Sequence, residues 1–256
     1  ILFEGCSSGG NRFDLGILSY FPQIWASDNT DALCRTRIQN SYSYGYPLSV
    51  FTAHVSSCPN HQTLRITPLE TRFQVASFGV LGYECNLKDL SGSDLSAIRE
   101  QITLYKKWRE VFQFGTFYRG TENEDSDSET LSWTCVSPDG RRAVGLFFRR
   151  LTVPNQSHDW YRPVGLLPDV KYHFYGRNIK YNLKDFGDLV NTVSPVHIKQ
   201  GSALQEILSR FVNMDGEKED LTAYGDTLMR AGIALKPAFA GTGYNSDTRL
   251  FPDFSS

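Results

Sequence analysis

The sequence predicts an α/β region built on parallel strands, followed by an all-β region with antiparallel ones. Over residues 1–115, short apolar runs alternate with segments of helical periodicity. A strand–helix–strand order implies parallel strands joined by crossover helices. Beyond about residue 116 that periodicity gives way to short alternating runs separated by turn residues, the texture of antiparallel strands.

In the first region, residues 1–3 (Ile-Leu-Phe) form a buried-strand candidate. A helix starts near Asp28–Asp31, where Asp and Thr side chains can cap orphan amides, and runs through Leu33 and Ile38. Residues 47–55 read as a second strand. Thr67, Pro68 and Glu70 make a helix start, with Thr at the N-cap, Pro at the first helical position and Glu at the capping-box position. Residues 80–85 read as a third strand. Ser93 can cap a longer helix, in which Leu95, Ile98, Ile102, Tyr105, Trp108 and Phe112 repeat at steps of three and four. Three β/α units do not close an eight-stranded barrel, so the sheet is either open or the last part of a barrel.

In the second region, residues 122–129 are acidic and Ser-containing, a solvated loop. Residues 131–136 and 143–151 flank Pro138-Asp139-Gly140, a hairpin signal. Residues 170–175 and 193–199 are further strand candidates. Residues 204–211 read as a short helix, and residues 227–235 as a strand that finishes the sheet.

Composition narrows the function. The 256 residues are 40% hydrophobic, enough to bury a sizeable core. The formal net charge of -2, with no Lys/Arg run, favours neither nucleic acid nor an anionic membrane. No apolar run is long enough to cross a bilayer. Five Cys at irregular spacing read as reduced thiols in a cytosol rather than a disulfide framework, so a cytoplasmic location is expected. The sequon at Asn155 reads as a chance match. The chain opens on Ile rather than Met, and both ends read as cuts through a longer protein.

Two segments carry chemistry. Residues 6–16 follow the first strand and hold Gly9 and Gly10; small residues there let a ligand approach the backbone. The stretch has neither the phosphate-loop nor the dinucleotide spacing, and taken by itself a tight structural turn is the favoured reading. Residues 22–31 set Trp25 beside Asp28 and Asp31 at a loop-to-helix boundary. Glycoside hydrolysis needs paired carboxylates, and sugars pack on indole faces. Helix capping by Asp28 or Thr30 is equally compatible, and spacing alone does not decide.

Five blocks in order carry a resemblance. They are residues 6–14 (Cys-Ser-Ser-Gly-Gly-Asn-Arg-Phe-Asp), 22–32 (Pro-Gln-Ile-Trp-Ala-Ser-Asp-Asn-Thr-Asp-Ala), 46–49 (Tyr-Pro-Leu-Ser), 53–56 (Ala-His-Val-Ser) and 59–63 (Pro-Asn-His-Gln-Thr). Together they resemble the α-galactosidases of glycoside hydrolase family 36. The resemblance is dense over residues 4–62, looser to Arg119, and a matter of pattern beyond, including the closing residues 251–256.

The resemblance implies the C-terminal part of a (β/α)₈ barrel, about three β/α units over residues 1–115, followed by an antiparallel β-sandwich domain over residues 116–256. It implies retaining cleavage of terminal α-galactosides such as melibiose or raffinose, without cofactor or catalytic metal, in a protein whose full-length form is a homotetramer. Asp28 maps onto the family's acid/base; Cys6 and Gly9 map onto galactose contacts. The family commonly has a further Gly where this chain has Asn11. The nucleophile belongs to a Lys-Trp-Asp motif that is absent from this sequence, so the chain alone is expected to be inactive. A retaining acid/base starts protonated, so Asp28 is expected to need a raised pKa before the glycosyl-enzyme forms.

Other readings give way to this one. His54, Cys58 and His61 lack a complete zinc ligand set, and His54 is expected near the sugar cleft or hydrogen-bonded in the core. Asp14 and Arg12 are expected to pair and fix their loop, Asp31 to support the first turn of its helix. Cys6 has no evident base to make it a nucleophile. A raffinose-synthase-like galactosyltransferase and a non-catalytic galactoside-binding module are the alternative functions.

Overall fold

The computed structural model describes residues 1–6, 13–120, 129–150, 159–177 and 180–236. Its first half is a parallel sheet of four strands in chain order: β1 (Glu4–Gly5), β2 (Gln23–Trp25), β3 (Phe51–Ser56) and β4 (Val80–Glu84). The helices α1 (Ala32–Tyr42), α2 (Leu69–Ala76) and α3 (Gly92–Phe114) follow β2, β3 and β4. Three β/α units are therefore present, preceded by one more strand. Strand β2 escapes the sequence pattern because three residues between Pro22 and Ser27 are too short to show a period. Residues 1–3 are not the buried strand expected of them: all three are exposed, and pairing starts at Glu4 opposite Gln23.

Local chemistry sets the helix ends. Asp31 caps α1, accepting from the Leu33 N–H at 3.2 Å. Helix α3 opens on a capping box two residues earlier than Ser93: Ser91 Oγ accepts from the Asp94 N–H at 3.2 Å, and Asp94 accepts from the Ser91 N–H at 3.2 Å. Helix α2 departs from expectation. Pro68 is its N-cap, with no side-chain cap, and Glu70 turns instead to Arg177 and Gln101.

The second half begins with a three-stranded antiparallel sheet, β5 (Thr116–Arg119), β6 (Thr130–Val136) and β7 (Ala143–Arg149). The β6–β7 hairpin closes where expected, and Gly140 takes φ +70° in its turn, a conformation that favours glycine. Three two-stranded antiparallel ribbons follow. They pair β8 (Trp160–Tyr161) with β13 (Ile233–Ala234), β9 (Lys171–Tyr175) with β12 (Asp220–Tyr224), and β10 (Lys180–Asn182) with β11 (Asn213–Asp215).

Helices α4 (Ala203–Ser209) and α5 (Gly225–Ala231) also lie among the described residues of this half. Residues 193–199 are not a strand: they follow a 3₁₀ run, Leu183–Thr192, and Pro195 cannot donate to a ladder. Residues 227–235 are α5 and then β13, because Gly232 at φ +79° ends the helix. Of the acidic stretch 122–129 all but Glu129, and also the sequon at 155 and the closing residues 251–256, lie outside the described residues.

One core runs through both halves. Phe51, Ala53 and Val55 point from one face of β3 to Phe73, Val75 and Phe78, then to Tyr105 and Phe112 of α3 and to Trp133, Cys135 and Phe148 of β6 and β7. Alternation along β3 sends Thr52, His54 and Ser56 to the opposite face. The Trp133 indole N–H donates to Asn40 Oδ1 at 3.0 Å, tying β6 to α1. A second, smaller core gathers Val136, Tyr161, Leu166, Leu228 and Ile233.

Candidate active site

Loops leaving the C-terminal ends of β1–β4 share one edge of the parallel sheet, where ligands bind in such folds. Cys6 follows β1 directly, and Asp28 follows β2 by three residues. Because β1 and β2 are adjacent and in register from Glu4–Gln23 to Gly5–Ile24, both residues leave the same edge. Cys6 is an exposed free thiol. Gly9, Asn11 and Arg12 lie outside the described residues. Asp14 fixes its own turn, accepting from the Gly16 N–H at 2.7 Å and the Ile17 N–H at 3.1 Å.

The segment between β2 and α1 separates two aspartates. Asp31 is buried; besides capping α1 it takes Arg65 Nε at 2.9 Å and the Cys34 thiol at 3.4 Å. Asp28 is exposed and does not cap; its Oδ1 accepts the Trp25 indole N–H at 3.1 Å. Capping of α1 thus falls to Asp31 and not to Asp28.

The backbone around Asp28 is held from several sides. Ser27 Oγ accepts from the Asn29 N–H at 3.1 Å, and Asn29 Oδ1 accepts from the Asp31 N–H at 3.1 Å. Arg35 donates from Nη2 to the Ser27 carbonyl at 2.7 Å, from Nε to the Asn29 carbonyl at 2.7 Å and from Nη1 to the Thr52 carbonyl at 3.3 Å. Ser56 Oγ donates to the Thr30 carbonyl at 3.1 Å, and the Asn60 amide donates to Thr30 Oγ1 at 3.1 Å. Asn60 Oδ1 in turn accepts from the Gln62 and Thr63 N–H groups at 3.0 and 3.1 Å. Three of the sequence blocks, around residues 22–32, 53–56 and 59–63, are therefore one hydrogen-bonded unit.

His54 lies beside this unit on β3. Its ring sits 4.5 Å from the Trp25 ring, and its Nδ1 is 3.8 Å from a Glu84 carboxylate oxygen, too long for a hydrogen bond. Burial holds its pKa below the ordinary value, against the pull of Glu84 and Glu4. Among the described residues, no group of three or more His, Cys, Asp or Glu side chains is placed to hold a metal ion. No helix among them is long and apolar enough to cross a membrane.

Residues 1–115 match the family model described as Melibiase, and residues 130–256 match that of the glycosyl hydrolase family 36 C-terminal domain. The chain belongs to glycoside hydrolase family 36. Among curated relatives, it is 46% identical over 172 residues to alpha-galactosidase 1 of Pediococcus pentosaceus, covering 67% of this chain and 23% of the relative. Among solved structures, the alpha-galactosidase from Lactobacillus brevis superposes with a TM-score of 0.72 at 34% identity, covering 100% of this chain and 28% of that one. The family 36 enzyme AgaA from Geobacillus stearothermophilus, solved in complex with raffinose, gives 0.71 at 33% identity, covering 94% of this chain and 27% of that one. The chain thus spans about a quarter of the length of the relatives it matches.

Sequence reasoning missed one participant, Arg35. It is 3% exposed and lies in the first turn of α1. A signal existed: a cation there opposes the positive end of the helix dipole, so a specific partner had to be sought for it.

Proposed function

We propose that this chain supplies the acid/base half of the catalytic site of a retaining α-galactosidase acting on terminal α-galactosides such as raffinose or melibiose. Asp28 is the acid/base, and Cys6 and Gly9 are contacts to the galactose. One observation carries the reading. An exposed carboxylate, relieved of capping by Asp31, stands at the ligand-binding edge of a parallel sheet with an indole donor beside it. Family membership and the names of the relatives support the substrate class.

In this reading β1–β4 and their helices, residues 1–115, are the last part of a (β/α)₈ barrel. Residues 116–256 are an antiparallel β-sandwich domain packed on it through the shared core. Asp28 protonates the leaving oxygen while a second carboxylate attacks the anomeric carbon, then activates the water that releases galactose. That second carboxylate, about 5–5.5 Å away in retaining enzymes, belongs to a motif absent from this sequence. The activity is accordingly that of the galactosidase that carries this chain together with its nucleophile, as a homotetramer in the cytoplasm.

The test is turnover of melibiose by that galactosidase and by its Asp28→Ala variant, with products analysed in excess sucrose. Free galactose lost in the variant is the expected result. Galactosyl transfer to sucrose as the main product would assign a transferase, and galactose affinity without turnover would assign a binding module.

A further inference from the structure

The peptide groups on either side of Asp28 are held by one buried side chain and one hydroxyl. Three consecutive peptide units run from Ser27 to Thr30. Arg35 Nη2 fixes the first through the Ser27 carbonyl, and Arg35 Nε fixes the third through the Asn29 carbonyl, each at 2.7 Å. Ser27 Oγ fixes the middle unit through the Asn29 N–H at 3.1 Å. The same guanidinium lies over the Trp25 ring, 4.9 Å from its centroid, and that ring's N–H reaches the Asp28 carboxylate. A single planar fork therefore sets both the backbone that carries Asp28 and the donor that orients it.

Such a placement is unfavourable on general grounds. Burying a cation costs desolvation, and the first turn of a helix repels positive charge. Three carbonyl acceptors offset the cost, and the fork geometry is what lets one residue hold the two that flank Asp28. Lysine, a point charge on a flexible stem, cannot reproduce it.

We propose that Arg35 and Ser27 form a clamp that positions Asp28 for proton transfer to the leaving oxygen, with Arg35 the principal positioning residue. The inference rests on the reading of Asp28 as acid/base. A misplaced acid matters only where the leaving group needs a proton, so its signature is dependence on the leaving group rather than a uniform loss.

The experiment compares kcat/KM on melibiose with that on an activated aryl α-galactoside, in the galactosidase carrying this chain, for the wild type, Asp28→Ala, Arg35→Lys and Ser27→Ala. Because kcat/KM reports the first bond-breaking step, Arg35→Lys is expected to lose ~30–100-fold on melibiose and ~3-fold or less on the aryl substrate, within the range for acid catalysis. Ser27→Ala is expected to lose ~5-fold on melibiose alone, a fraction of the same acid-catalysis range. Equal losses on both substrates, or none, for Arg35→Lys while Asp28→Ala is selective would overturn the clamp and leave Asp28 in place. Absence of selectivity in Asp28→Ala would remove the acid/base reading and the clamp with it. Should Arg35→Lys fail to fold by its thermal transition, Ser27→Ala decides: a selective loss supports the clamp, and a uniform loss or none overturns it.

Discussion

Trp25 and Asp28 are joined across three residues by an indole N–H that donates to the carboxylate at 3.1 Å. The ring is almost wholly buried and the carboxylate is exposed, so a rigid donor aims a solvent-facing acceptor. Replacing Trp25 by Phe keeps an aromatic ring and removes the donor. Without that donor the carboxylate is no longer aimed, and misplacing a catalytic group costs up to about 100-fold, so turnover of a natural galactoside by the galactosidase carrying this chain is expected to fall ~10–100-fold. Steady-state kinetics of the variant check it.

The two aspartates of this segment differ in what they hold: Asp31 is buried and capping, Asp28 is exposed. Asp31→Ala removes a cap and leaves the Arg65 guanidinium without its carboxylate, and is expected to destabilise by about 2–4 kcal/mol. Asp28→Ala removes an exposed carboxylate and the hydrogen bond it accepts, and is expected to destabilise by about 0.5–1.5 kcal/mol. Urea unfolding of the two variants, side by side, measures the contrast.

How much of this was legible beforehand depended on the length of each signal. The 23-residue α3 carried its stripe over many turns, and the β6–β7 hairpin carried a turn dipeptide. Both are where the pattern put them. Strand β2 offers three residues, and its partners, not its own alternation, make it a strand. The apolar residues near 227–235 fit a strand as well as a helix until Gly232 is seen to end one and begin the other. At the candidate site, Asp28 was singled out through its neighbours in sequence. Arg35 was not, because its role lies in three carbonyls brought to it by folding, and carbonyls leave no mark in a sequence.

Gly82 pairs with His54 across β3 and β4, and a Cβ there would collide with the imidazole. Gly82→Ala is expected to cost about 1–3 kcal/mol as overpacking. In a His54→Ala background the same change is expected to cost less, because the ring it strikes is gone. A double-mutant cycle in thermal or urea unfolding measures that coupling.

His54 also sets a pH dependence. Its pKa in the fold is depressed from the ordinary 6.5 by burial, while Glu84 and Glu4 raise it and Arg35 lowers it. The unfolded chain therefore binds a proton before the folded one does. Stability from the neutral ring is fully present above about pH 6.5 and is lost as pH falls below it, until the folded-state pKa is passed. His54→Gln is expected to flatten that part of the stability-against-pH curve, checked by unfolding midpoints across that range.

The assignment of Asp28 as acid/base is tested most directly by anion rescue. In Asp28→Ala of the galactosidase carrying this chain, an activated aryl α-galactoside still forms the glycosyl-enzyme, but no base remains to activate water for its release. Azide needs no base. Turnover measured with and without azide is expected to rise ~10–100-fold, a share of what general base catalysis supplies, with α-galactosyl azide as the product. A rate that azide leaves unchanged, with galactose still released as fast as by the unaltered enzyme, would contradict the account.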